Sequence, residues 1–488
     1  MDPITIAIIT LVAIIALIVI IVLVQTSQFG IEYEDVEPIN LPEVDGESVA
    51  QRIGLAVQLK TISDVDPEKV DPRPFEAFRD LIRTLYPQLE EKLTREVINR
   101  HALLYTWQGS DPSLDAVCFT AHQDVVPADE GEDSGWTHSP FAGELADGYV
   151  WGRGTLDCKG ILICLLEAVN NLVKLGYQPK RTIYLAFGDD EENSGVAGAK
   201  QIVKTLKERG VRLSFLLDEG GTVTTGQIEG VKGPVAIIGI SEKGYLSLKL
   251  KARVKGGHSA MPPTQTAIGA LSLAIAALES NPFPQTLEVA QFTLSHLGNE
   301  VPFLQRMALA NPWLFGKIAK KRLAALPSTN ALTRTTAVPT IIKAGSADNV
   351  LPAEAEAVIN CRIMPGETIK DVYERICDLV ADEIVSVEPV HGDTIMDDRA
   401  WNPTIISDVD SPQYNRLADL ILGAFPGTKV APVMISGATD ARYYNDLCSN
   451  VYRFAPFYLT KEEIGTVHSD NERVSFENAG RAVGFYQA

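Results

Sequence analysis

No lysine or arginine occurs before Arg52, the first of 43 in the chain. The chain has no Asn-x-Ser/Thr acceptor, and the one near miss, Asn402-Pro403-Thr404, is blocked by proline. That favours a prokaryotic source or a setting without N-glycosylation. Cys118, Cys158, Cys164, Cys361, Cys377 and Cys448 form no close CxxC pair and no disulfide-scaffold spacing, which excludes a Cys-rich structural zinc site and a stapled mini-fold. Cys118 and Cys361 lie in apolar, strand-like runs and read as buried free thiols. Positive charge is in deficit: net charge is −20 over 488 residues. An acidic surface argues against nucleic acid and against anionic membrane surfaces as partners. There is no internal repeat and no low-complexity tract. What remains is an ordinary globular composition, 45% apolar and 22% charged, long enough for two or three domains.

The first 25 residues stand apart. Ile4 to Val24 is a continuous uncharged run of Ile, Leu, Val and Ala, and about 20 such residues span a bilayer core as helix. A cleaved signal peptide needs a basic n-region and a small-residue cleavage site. Met1-Asp2-Pro3 and Gln25-Thr26-Ser27 supply neither, so residues 1–25 read as an uncleaved transmembrane anchor. With no basic residue nearby, the positive-inside rule gives no orientation. Residues 26–46 are polar, acidic and proline-containing, as a tether is.

From residue 47 apolar runs alternate with helical patterns. Helices are expected from Glu47 and over Pro74–Tyr86, then a buried strand at Ala116–Ala121 and a helix at Gly160–Leu175. A strand at Arg181–Gly188, a helix at Ala197–Arg209 and a strand at Leu213–Leu217 follow. Strands alternating with helices predict a mostly parallel α/β sheet, with a site at the carboxyl ends of its strands. His122, Glu191 and Asp218 each fall just after such a strand. The texture changes near residue 245. A half-exposed strand at Tyr245–Val254, a helix at Thr264–Leu278, strands at Ala337–Ile342 and Glu354–Ile363, a helix at Thr368–Ala381 and a strand at Ile384–Val390 predict a compact α+β unit. It spans 245–395 and is inserted between 47–244 and 396–488. Asn281–Ser328 interrupts it with aromatic and basic residues, readable as a lid, an interface or a plain surface helix pair.

Seven metal-competent or acid/base residues sit in short local contexts: His122 and Asp124 in AHQDVV, Asp157 in GRGTLDCKG, Glu191 and Glu192 in FGDDEENSG, Asp218 in FLLDEGG and His468 in GTVHSD. Singly, each has a plainer reading. His122 is a satisfied core histidine, Asp157 a helix N-cap, the glutamate pair a solvated turn, and His468 an isolated histidine. Asp218 ends an apolar strand, where an ionised carboxylate is costly unless paired. Jointly they make a ligand set for borderline divalent ions, Zn2+ above all. In His122-Gln123-Asp124 the outer residues share one face of an extended segment, so one can ligate while the other fixes its tautomer. Adjacent glutamates suggest one ligand and one general base.

With these motifs the chain resembles the co-catalytic di-zinc metallopeptidases that include glutamate carboxypeptidase, aminoacylase and carnosinase. The resemblance covers everything after the tether. The nearest branch is that of Gly-Xaa carboxypeptidases (carboxypeptidase S) and N-fatty-acyl-amino-acid hydrolases. GWTHSPFAGELADGYVWGRGTLDCKG, GGHSAMPP, SADNVLPAEAEAVINCRIMPG, SGATDARYY and VHSDNERV carry it. It implies an α/β/α catalytic domain with an inserted ferredoxin-like α+β lid. It implies two Zn2+ ions per chain, with Asp157 bridging, His122 and Asp218 on one ion, and Glu192 and His468 on the other. Asp124 would orient His122, and Glu191 would be the general base on metal-bound water. His258 in GGHS would reach the oxyanion, from the same chain or from a homodimer partner through the lid. Asn349, Arg362, Gly437 and Thr439 would line the substrate pocket, Arg362 pairing with a carboxylate. Asp440 and Arg442 read as structural. Cys158 departs from the expected Asp or apolar residue.

The implied activity is hydrolysis of the amide of a small peptide or N-acyl amino acid with a free carboxylate. Aminoacylase-type or N-fatty-acyl-amino-acid specificity is the alternative within the class. A non-catalytic, membrane-tethered binding protein is the alternative outside it. By the same analogy the catalytic domain faces the lumen or the extracytoplasmic side.

Overall fold

The computed structural model of the chain describes residues 2–31, 36–131, 133–228, 230–390, 394–395 and 399–488. Its larger unit is built on a ten-stranded mixed sheet. The order is Thr94–Ile98, Ala102–Trp107, Ile183–Gly188, Ala116–His122, Leu213–Asp218, Val451–Arg453, Val235–Glu242, Val223–Thr224, Tyr458–Leu459, with Lys429–Ile435 also on Val235–Glu242. Ala116–His122 pairs parallel with both Ile183–Gly188 and Leu213–Asp218. These three strands therefore release their carboxyl ends on one edge.

Alternation puts the two faces of this sheet into two cores. Leu103, Tyr105, Ala121, Leu185 and Phe187 pack under helices Gly46–Val57, Lys159–Lys174 and Phe476–Gln487. Leu104, Cys118, Tyr184, Ala186 and Leu216 pack under Ala199–Glu208. Lys159–Lys174 is buried around most of its circumference, which explains why its sequence is apolar without a clear stripe. Helix Gly46–Val57 starts where Asp45 accepts from the Ser48 amide, as an N-cap does.

The smaller unit is a four-stranded, wholly antiparallel sheet ordered Thr336–Ala344, Glu354–Ile363, Gly244–Arg253, Val385–Pro389. Helices Ala267–Ser280 and Ile369–Val380 share its core with Leu246, Leu248, Leu250, Ile359 and Ile363. In chain order this is β-α-β-β-α-β, the split ferredoxin-like arrangement. The interrupting stretch, for which a surface helix pair was one reading, holds helices Glu288–Ser295, Phe303–Ala310 and Pro312–Leu323. The boundary expected at 395–396 abuts residues 396–398, which lie outside the described residues. Helix Pro3–Ser27 is long and apolar enough to cross a membrane, a test that a signal sequence also passes.

Candidate active site

The site forms where the three parallel strands end. His122 is the last residue of its strand and Asp218 the last of its own, while Glu191 begins a short 3-10 turn just beyond Gly188. Asp157 comes from the loop before helix Lys159–Lys174, and its peptide bond to Cys158 is cis. His468 approaches from the C-terminal segment with φ of 59°, in the left-handed region that non-glycine residues seldom adopt.

Asp157 is the centre. Its Oδ1 lies 2.9 Å from His122 Nε2 and its Oδ2 3.1 Å from His468 Nε2. The second histidine also meets Glu192, at 3.1 Å. Among the described residues two ligand groups result, each with its donor atoms within 4.8 Å of one another: His122, Asp157 and Glu219, and Asp157, Glu192 and His468. Only Asp157 belongs to both, with one oxygen facing each histidine.

The geometry brings one residue from outside the expected ligand set into the first group. Glu219, not Asp218, joins His122 and Asp157. The physical reason is local. Asp218 Oδ1 accepts from the Glu219 amide at 2.9 Å and Oδ2 from the Ala441 amide at 2.8 Å, so Asp218 closes the strand end against the chain. The next residue turns its carboxyl into the site. Burial first, then the charges of Asp157 and Asp218, push Glu219 well above the usual carboxylate range. The adjacent acid pair in FLLDEGG was the available signal.

Asp124 is fully buried and does more than face His122. Burial opposes its ionisation, but His122 and Ser63 hold its carboxyl below the ordinary value. Its Oδ1 accepts from the Glu191 amide and its Oδ2 from the Glu192 amide, both at 3.1 Å, while Ser63 Oγ donates at 2.7 Å. One carboxylate thus sets both the first histidine and the two-glutamate turn. Burial raises Glu191 well above the usual carboxylate range, against the opposing charges of His122 and Arg442. Hydrogen bonds donated to the Asp157 and Glu192 carboxylates raise His468 to about 10.

This donor set fits a pair of divalent cations. It is all nitrogen and oxygen, it contains two imidazoles, and one carboxylate serves both groups, which is the donor chemistry of borderline dications. Several buried carboxyls converge there and raise one another's pKa values, a crowding that positive charge relieves.

Of the substrate-side residues, His258 and Asn349 come together. His258 pairs with Val350 across a two-stranded ribbon, and the Ser259 amide donates to the Asn349 carbonyl at 3.1 Å. Both residues are exposed. The His258 Nδ1 accepts from the Ala260 amide, and neither metal-competent group includes it. Arg362 stands opposite Tyr245 in the smaller sheet, with its guanidinium 4.8 Å over the Tyr245 ring. Tyr245 stacks on Trp401 at 4.9 Å, Arg442 lies 4.4 Å over Trp401, and Arg442 reaches Glu191 at 4.0 Å. A continuous stack thus joins Arg362 to Glu191. Tyr245 and Trp401 carried no motif, and Arg442 read as structural.

A Cβ on Gly437 would meet open space. Thr439, by contrast, is buried, donating from Oγ1 to Glu242 Oε1 at 2.7 Å and capping Ala441. Asp440 presses its oxygens to within 2.2 Å of where a Cβ would stand on Gly188 or Gly195, so both positions need glycine.

The sequence matches "Peptidase family M20/M25/M40" over residues 118–488. The chain belongs to this family of metallopeptidases. It is 35% identical to "Probable carboxypeptidase S-like 2" of Dictyostelium discoideum, over 90% of this chain and 83% of that protein. It is 37% identical to "N-fatty-acyl-amino acid synthase/hydrolase PM20D1" of Xenopus tropicalis, over 91% of this chain and 86% of that protein. The crystal structure of a "M20 family metallo-carboxypeptidase" from Sulfolobus solfataricus superposes with a TM-score of 0.65 at 14% identity, covering 90% of this chain and 97% of the other. At that identity the likeness speaks for the fold alone. The M20 α/β fold anticipated from the motifs is therefore the fold of this chain.

Proposed function

We propose that this M20 chain is a two-metal hydrolase, zinc-loaded, that cleaves the amide of N-acyl amino acids or small peptides with a free carboxylate. The observation that carries the reading is Asp157, whose two oxygens face two different histidines within two ligand groups. His122, Asp157 and Glu219 would hold one ion, and Asp157, Glu192 and His468 the other. Such ions supply Lewis acidity that lowers the pKa of a water and polarises a carbonyl.

The protein's own groups do the rest. Glu191, desolvated and raised, accepts the proton of the attacking water and returns it to the leaving nitrogen. Asp124 fixes the His122 ring and holds the Glu191 turn by its amide. Arg442, beside Glu191 at 4.0 Å, steadies the base while it is ionised. Arg362 receives the substrate carboxylate, and burial, which lowers its pKa, leaves it a partly desolvated cation suited to that task. His258, on the exposed ribbon beside Asn349, meets the oxyanion when 245–395 acts as a lid or when a partner subunit offers it. Gly437 leaves room for substrate beside the strand end.

In the same reading helix Pro3–Ser27 is a single-pass anchor, residues 26–46 are its tether, and the catalytic unit lies on the lumenal or extracytoplasmic side. The names of the relatives favour two specificities, carboxypeptidase and N-fatty-acyl-amino-acid hydrolase.

The test uses the zinc-loaded full chain in detergent. Amino-acid release is measured from Gly-Xaa dipeptides, N-acetyl amino acids and N-oleoyl amino acids, with and without chelator. Chelator-sensitive release is expected, and the preferred substrate selects the specificity. Glu191→Gln should keep its metal and lose about 100- to 10,000-fold in turnover. Metal-loaded, folded protein inert on every substrate would overturn the reading in favour of a binding protein.

A further inference from the structure

Helix Pro3–Ser27 is exposed along nearly its whole length, yet its C-terminal end is docked. Val22 and Thr26 are buried there. Asn311 Nδ2 donates to Thr26 Oγ1 at 3.2 Å, and Trp313 Nε1 donates to Gln25 Oε1 at 3.1 Å. Just beyond, the Ile31 amide donates to the Ser295 carbonyl at 2.8 Å. The partner in every case is the helical insertion within the smaller unit.

Depth follows from length. A helix rises about 1.5 Å per residue, so about 20 residues cross a hydrocarbon core of about 30 Å. A span that begins at Pro3 reaches the opposite interface by Val22 to Ser27. The docked helices Phe303–Ala310 and Pro312–Leu323 stand at that level.

Those two helices carry the wrong surface for water. Phe303, Leu304, Trp313, Leu314 and Ile318 are exposed, Leu304 to 70% and Ile318 to 66%. Leu314 and Ile318 are one turn apart on the same helix face. Clustered exposed apolar side chains of this size mark an interaction surface. Lys317 and Lys321 are exposed on the same helix. No carboxylate occurs between Glu300 and Asp348, in a chain whose net charge is −20. Overall acidity, which argues against anionic membranes, is therefore reversed locally where the span ends.

We propose that helices Phe303–Ala310 and Pro312–Leu323 lie in the headgroup–acyl boundary of the bilayer that Pro3–Ser27 crosses. Phe303, Leu304, Trp313, Leu314 and Ile318 enter the acyl edge, and Lys317 and Lys321 sit among anionic headgroups. Trp at the boundary and lysines extended toward headgroups are what that environment selects. The catalytic unit is then held against the lipid surface at two points, the anchor and the insertion. The inference rests on the anchor reading of Pro3–Ser27.

The experiment reconstitutes the full chain in vesicles of phosphatidylcholine and phosphatidylglycerol and follows tryptophan fluorescence. Acyl chains are brominated near the headgroup or near the methyl end. Trp313 is isolated as the difference between the wild type and Trp313→Phe. Ile15→Trp in the Trp313→Phe background reports the span separately. Expected is quenching of Trp313 by the shallow bromine, with Ile15→Trp quenched by the deep one. Quenching of Ile15→Trp without quenching of Trp313 overturns the proposal and leaves the anchor standing. Quenching of neither overturns both. Quenching of Trp313 alone removes the span and with it the proposal, which needs both points of attachment. Shielding of Trp313 from bromine and from aqueous iodide alike assigns the patch to a second copy of the chain and overturns the proposal.

Discussion

Glu472 accepts the backbone amide of Asp157 at 3.1 Å, across 315 positions of chain. The same Oε1 accepts from Gly154 at 3.0 Å and Leu156 at 2.8 Å, and Oε2 pairs with Arg153. Both Glu472 and Arg153 are buried. One carboxylate thus moulds the loop that presents Asp157, and it lies four residues after His468. Glu472→Ala takes the carboxylate from a buried guanidinium and the acceptor from three amides. A loss on the order of 3–5 kcal/mol of stability is expected. Glu472→Gln keeps an acceptor and should fold, with metal affinity lowered about 10- to 100-fold, as for residues that orient ligands. Calorimetric metal titration of Glu472→Gln checks this. Unchanged affinity would make Glu472 a folding residue only.

The choice between Asp218 and Glu219 is decided by metal stoichiometry. Glu219→Ala should release one of two ions, because its carboxyl belongs to the group formed with His122 and Asp157. Asp218→Asn should keep both ions and mainly lower stability, since it serves the Glu219 and Ala441 amides. An amide side chain can accept only one of these bonds through its oxygen, so a loss on the order of 1–3 kcal/mol is expected. Elemental analysis of the purified variants reads the first, and chemical unfolding the second. Loss of an ion from Asp218→Asn with retention in Glu219→Ala would reverse the assignment.

Much of this site was legible because it is built at strand ends. The apolar runs between helical stretches located the strands that end at His122, Gly188 and Asp218 to within two residues, and the chemistry hangs from those ends. What escaped was whatever depends on the path of one turn or on distant packing. A strand that ends at Asp218 presents two successive acids, and periodicity does not say which continues inward. Val235–Glu242 and Lys429–Ile435 pair with each other in the sheet but sit far apart in sequence, one on each side of the smaller unit. The stack from Arg362 through Tyr245 and Trp401 to Arg442 joins residues from both units. No local pattern encodes such a meeting.

Lys243 gives a pH signature that does not involve the metal groups. It is buried, and its Nζ donates to the Arg334 carbonyl at 2.8 Å. Burial first, then the charge of Arg362, lowers it from 10.5 to about 8. Above pH about 8 the folded chain gives up this proton while the unfolded chain keeps it to about 10.5, so the unfolded state binds more protons. Stability therefore rises with pH across that window, by an amount on the order of 3 kcal/mol from this group. Lys243→Met removes the contribution. Urea unfolding of both proteins at the two ends of the window should show the wild type gaining on the variant as pH rises. A constant difference between them would mean that Lys243 keeps an ordinary pKa.

Arg362 offers the sharpest test of substrate class. Its guanidinium is half-buried on the Tyr245 ring, and burial pulls its pKa down. An anion placed there regains what desolvation took away, and a planar carboxylate matches the guanidinium fork. The wild type should therefore prefer an N-acyl amino acid over the same compound capped as a carboxamide. A hydrogen bond to a charged group contributes about 1.5–3 kcal/mol, which is a preference of roughly 10- to 100-fold in kcat/KM. In Arg362→Gln that preference should collapse through a higher KM for the free acid, with kcat little changed, because the group binds ground state and transition state alike. Arg362→Lys should recover only part of it, since an ammonium makes no fork and stacks poorly on Tyr245. If Arg362→Gln discriminates acid from amide as the wild type does, the carboxylate is held elsewhere. The stack from Arg362 to Glu191 would then serve to align the two units and not to read the substrate.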